Sequence, residues 1–67
     1  MTVADVKVRI DSIGALAAAG DHEGAHSLED DLRHDVLEAI ASGAENAVEL
    51  AHATLKTSDL AFERWVA

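Results

Sequence analysis

Apolar residues along this 67-residue chain recur at intervals of three and four over most of its length, the period that gathers one face of an α-helix. Val3, Val6, Ile10, Ile13, Leu16 and Ala17 form the first such run, and Thr2 precedes it with Asp5 three residues on, a capping-box pair. The spacing predicts a helix over about residues 3–18. Val6, Val8 and Ile10 alone alternate as in a strand, but that reading leaves Ile13, Leu16 and the alanines without a face. Gly14 lies inside the run, where glycine costs up to about 1 kcal/mol relative to alanine, so it marks either a close helix crossing or simple tolerance.

Gly20 ends this run and Asp21 is a strong helix cap, so a second helix is predicted over about residues 21–42, stopped by Gly43. Ala25, Leu28, Leu32, Val36, Ala39 and Ile40 form its apolar face. The short connection makes the first two helices antiparallel neighbours. A third helix is predicted over about residues 44–56, with Ala44, Ala47, Val48, Ala51 and Leu55 inward and Leu50 and Ala53 off that stripe. The closing segment carries both aromatics, Phe62 and Trp65. As a last helical turn or an extended tail it is expected to fold back, with Trp65 buried against the second helix. The fold class is therefore all-α: a small three-helix bundle with a short C-terminal tail or helical turn, one domain over residues 1–67.

Composition narrows the picture. The chain is 49% hydrophobic, but much of that is alanine, so the core must use nearly every larger apolar side chain it has. Leu37 and Leu50 fall outside the inward stripes and form a candidate interaction surface, which a second copy of the chain in a homodimer would cover. There is no cysteine, so neither a disulfide framework nor a thiolate metal site exists. No apolar run reaches membrane-spanning length and no signal-peptide pattern opens the chain, so the expected location is the cytoplasm. Thirteen acids against five Lys and Arg give a net charge of −8. That balance disfavours nucleic acid and anionic membranes as partners, both of which need a basic patch, and favours a basic protein.

The candidate chemistry gathers on the second helix. His26, Asp30 and His34 stand four residues apart and share one side of it, an arrangement able to offer two imidazoles and a carboxylate to a metal, with His22 one turn further back. The simpler reading is the solvated flank of an amphipathic helix. His26 and Glu29, paired with Glu49 and His52, superficially match the ligands of di-iron bundles, but that architecture needs four helices and more inward carboxylates. Glu29 falls inside the apolar arc with His26 at its edge, so the carboxylate must find partners. Arg64, the Trp65 indole and backbone amides of the returning tail are the expected ones, which makes His26, Glu29, Arg64 and Trp65 a structural polar network. Ser27 and Ser42 lack a surrounding base and acid, and there is no glycine-rich phosphate loop. No catalytic residues and no cofactor are indicated, and a non-enzymatic binding module is the expected function.

Ala25-His26-Ser27, Glu29-Asp30, Leu32, Val36-Leu37 and Ala39-Ile40, with the closing Leu55-Lys56-Thr57, Phe62, Arg64-Trp65 and Ala67, resemble a family of small acidic uncharacterised proteins from actinobacteria and their bacteriophages. Members often carry proline and cysteine where this chain has Glu63 and Val66. The resemblance covers about two thirds of the chain and brings no assigned activity. It implies a phage or actinobacterial origin, and hence a partner and a cytoplasm belonging to the host.

Overall fold

The computed structural model describes residues 1–64, and within them three helices occur, α1 (Val3–Ala18), α2 (His22–Ala41) and α3 (Ala47–Leu55), followed by a single 3-10 turn (Lys56–Asp59). The chain is a small all-α three-helix bundle. Val6, Ile13, Ala25, Leu32, Val36, Leu50 and Ala53 form its core, and Ile10, Leu16, Ile40, Leu60 and Phe62 pack around it half-buried.

Local chemistry sets most of the boundaries. The Thr2 hydroxyl accepts from the Asp5 amide at 3.1 Å while the Asp5 carboxylate accepts from the Thr2 amide at 2.8 Å, closing a capping box at the start of α1. That backbone bond, followed by the one to the Thr2 side chain, holds the Asp5 carboxyl below its ordinary value. At the far end of α1 the Gly20 amide donates to the Ala17 carbonyl and the Asp21 amide to the Leu16 carbonyl, the paired bonds of a Schellman motif, with Gly20 at φ +83°. Asp21 then turns its side chain forward to accept from the Gly24 amide at 2.9 Å. One residue therefore closes α1 and caps α2, which is why the three residues Ala19, Gly20 and Asp21 suffice to reverse the chain. The same pair of bonds recurs after α2, from Gly43 to Ile40 and from Ala44 to Ala39, with Gly43 at φ +92°.

The third helix differs from expectation. It begins at Ala47, because the Schellman turn takes up residues 43 and 44, and Asn46 stands before it with its side-chain amide donating to the Met1 carbonyl at 3.1 Å. It also turns a different face to the core: Leu50, Ala53 and Thr54 are buried, whereas Val48 and Leu55 are each 65% exposed. Of the expected inward stripe, Ala44, Ala47 and Ala51 are half-buried while Val48 and Leu55 face outward, and Leu50 is a core residue rather than an interaction surface. This helix carries apolar side chains nearly all round, so periodicity could not choose between two stripes. Thr54 enters the core because its hydroxyl donates to the Leu50 carbonyl at 2.7 Å, leaving no polar group unpaired. Leu28, expected on the inward face of α2, lies at the exposed margin. Gly14 does not mark a close backbone crossing, since a methyl group there would meet only Leu60 Cδ2 at 3.8 Å.

Candidate functional site

After the 3-10 turn residues 61–64 have no regular secondary structure and lie against α2. Leu60 and Phe62 pack on the core margin, and the Glu63 amide donates to His22 Nδ1 at 2.8 Å near the start of α2. The segment after α3 therefore meets α2 at three points, Thr57 at Arg33, Glu63 at His22 and Arg64 at Glu29.

Glu29 is the group that fixes this return. It is 1% exposed, and the Arg64 guanidinium donates to both its carboxylate oxygens, Nε to Oε1 at 2.8 Å and Nη2 to Oε2 at 3.1 Å. Two parallel bonds of this kind match the fork of the guanidinium to the carboxylate and are stronger than neutral ones. Arg33, one turn along α2, brings a second cation to 3.7 Å and hydrogen-bonds the Thr57 hydroxyl at 3.0 Å. Arg64 Nη2 also reaches the Thr57 and Leu60 carbonyls at 2.9 and 3.2 Å, and its guanidinium lies 3.8 Å over the Phe62 ring. Burial pushes the Glu29 carboxyl up, but hydrogen bonds from Arg64 and Thr57 and the charges of Arg33 and Arg64 outweigh it and hold the group below its ordinary value. The same pairing raises Arg64.

Sequence reasoning placed Glu29 in the apolar arc and named Arg64 as a partner, and both are where the network lies. It missed Arg33 and Thr57, although Arg33 at i+4 from Glu29 was a readable signal. His26 is at the edge of the arc but turns to Asp30, with Nε2 3.4 Å from Oδ2. Trp65 lies outside the described residues.

The metal row does not assemble as a unit. His34 pairs with Glu38 at 2.8 Å while His26 faces Asp30, so the two imidazoles are directed at different carboxylates. Among the described residues, the ligating atoms that gather within 4.8 Å of one another belong to His34, Asp35 and Glu38. Asp35 is already bonded to Arg9 at 2.7 Å, and a cation there would have to compete with that guanidinium. The di-iron arrangement does not form either, because Glu29 is held by arginines while Glu49 and His52 are exposed on α3.

Two surfaces remain. Three of the cationic residues are paired with the chain's own carboxylates, Arg9 with Asp35 and Arg33 and Arg64 with Glu29. Apart from Glu29 and half-buried Asp35, the acids are exposed, against exposed Lys7 and Lys56. The other surface is an open groove of about 260 Å³ between α2 and α3, lined by Arg33, Val36, Leu37, Ile40, Ala51, Thr54 and Leu55. Leu37 stands at its edge 65% exposed. Ser27 and Ser42 are exposed and lie outside this groove. Among the described residues no helix is long and apolar enough to cross a membrane. Comparison with known proteins finds no matching family model, no matching curated protein and no matching solved structure.

Proposed function

We propose that this protein is a small non-enzymatic binding module that presents an acidic surface to a basic protein partner. The observation that carries the reading is the pairing of Arg9, Arg33 and Arg64 with Asp35 and Glu29, which leaves the exposed acids elsewhere with little local neutralisation. A surface of this kind attracts a basic partner at long range and accelerates encounter. The groove between α2 and α3 is open and aliphatic, unlike the concave, polar-studded pockets that enzymes use. The resemblance to actinobacterial and phage proteins supports a host protein as the partner and the host cytoplasm as the place of action.

The test is affinity capture from an actinobacterial lysate at about 50 mM and about 500 mM salt, since screening weakens contacts between exposed charges. The control reverses Asp30, Asp31 and Glu38 to lysine. The reading expects a basic protein that is retained at low salt, released at high salt and lost on the control. Equal retention by the charge-reversed protein would refute it.

A further inference from the structure

We propose that the face of α2 around Glu29 is a binding slot for a segment carrying an arginine two residues after an aromatic, and that the chain's own residues 61–64 occupy it as a removable strap. The slot and its strap stand apart from the partner reading. A foreign occupant deepens that reading and rests on it, by naming the part of the basic partner that is held.

The strap shows what the slot accepts. Phe62 is half-buried against the core margin, whereas Ala61 and Glu63 on either side of it are exposed. Arg64 completes the alternation with its guanidinium on both oxygens of Glu29, at 2.8 and 3.1 Å. The cation lies 3.8 Å over the Phe62 ring, so aromatic and arginine arrive as one unit. Lysine is a poor substitute, because a compact ammonium does not match the carboxylate with two parallel bonds.

The attachment is of a kind that a competitor can replace. Among the described residues, no backbone-to-backbone hydrogen bond ties residues 61–64 to a helix. They are held by side chains and by the bond from the Glu63 amide to His22 Nδ1 at 2.8 Å. The turn that precedes them is fixed independently, since buried Thr57 is hydrogen-bonded by Arg33 at 3.0 Å. Leu60, at φ −78° and ψ 131°, leads out of that turn, so rotation there frees the strap while Lys56–Asp59 stays in place. An incoming arginine also restores the bonds that Arg64 Nη2 gives to the Thr57 and Leu60 carbonyls.

Opening does not orphan the buried charge. An unpaired carboxylate at Glu29 is costly, but Arg33 stands 3.7 Å from Oε2 one turn along the same helix and remains beside it when Arg64 leaves. One cation belongs to the helix and the other to the segment that docks. His26 and Asp30 flank the slot, 3.4 Å from one another, and the net charge of −8 draws a cationic segment toward it.

The test is a nuclear magnetic resonance titration with a peptide of residues 61–64, Ala-Phe-Glu-Arg, capped at both ends. This probe is independent of capture from a lysate, so its failure leaves the acidic-surface reading standing, and failed capture leaves the slot standing. In the parent the tail competes at an effective concentration on the order of mM. Phe62→Ala/Arg64→Ala vacates the slot and should bind the peptide at least about tenfold more tightly than the parent. Adding Glu29→Gln to that variant should remove the gain, and a peptide with lysine in place of arginine should bind at least about tenfold more weakly. Circular dichroism checks that the helices persist. If the double variant loses them, Arg64→Lys decides, because it keeps a cation for Glu29, and it should bind the arginine peptide at least about threefold more tightly than the parent. Equal binding to the parent and to whichever variant stays helical overturns the proposal. So does equal binding of the arginine and lysine peptides, or no binding to either variant at about 10 mM peptide.

Discussion

Replacing Glu29 by alanine removes the carboxylate that both arginines face. In a fully buried pair, loss of one partner costs about 3–5 kcal/mol, because the remaining charge has nothing to pair with. Here the arginines are not fully buried: the Arg64 side chain is 31% exposed and that of Arg33 44%. Both can recover water, so the cost falls to about 2–3 kcal/mol. Arg64 also loses the anchor that orients it over Phe62, so the tail loosens along with the pair. A chain of this length has a total stability of about 3–10 kcal/mol, which makes the loss a large fraction of it. Glu38 provides the control, since its pair with His34 is exposed on both sides and contributes at most about 0.5 kcal/mol. Thermal unfolding followed by circular dichroism should show Glu29→Ala melting roughly 8–20 °C below Glu38→Ala. Equal midpoints would refute the assignment of Glu29 as the group that fixes the tail. The acid limb supplies a second check. The folded Glu29 carboxyl lies below its unfolded value, so the unfolded state binds the extra proton between the two values. The stabilisation is present above the ordinary glutamate range and disappears as pH falls through the depressed folded value. Glu29→Gln should flatten that part of the stability profile, with the smaller contribution of Asp5 remaining.

Two glycines inside helices should respond in opposite directions. Gly14→Ala should raise stability by about 0.5–1 kcal/mol, because its methyl group has room beside Leu60 at 3.8 Å. Gly24→Ala should gain nothing or lose stability, because the new methyl carbon collides with the Asp21 carboxylate and disturbs a cap worth about 1 kcal/mol. Paired urea titrations separate the two, and a gain at both positions would contradict the geometry at Asp21. On α3, Leu50→Ala should cost about 2–4 kcal/mol while Val48→Ala costs less than about 0.5 kcal/mol. The reverse order by chemical denaturation would restore the face that periodicity alone favours.

What the sequence determined by itself is what short-range chemistry controls. Thr2 with Asp5, Gly20 with Asp21, and Gly43 act within a few residues, and the bounds of α1 and α2 follow from them to within a residue. The amphipathic stripe of α2 is distinct enough that a carboxylate inside it, Glu29, could be recognised as needing a partner. The third helix was not legible in the same way. Over Ala47–Leu55, apolar residues occupy both candidate faces, and only packing against α1 and α2 turns Leu50 and Ala53 inward and leaves Val48 and Leu55 outside. The metal row on α2 failed for a related reason. Spacing puts His26, Asp30 and His34 on one side of the helix but does not choose their rotamers, and nearby carboxylates take each imidazole separately. The return of the tail was decided between segments far apart in the chain, where Thr57 and Arg64 converge with Arg33 on a buried charge. Beyond the i+4 spacing of Glu29 and Arg33 no local pattern encodes that convergence, because its energy comes from satisfying a desolvated carboxylate, and that carboxylate is desolvated only once the helices have packed.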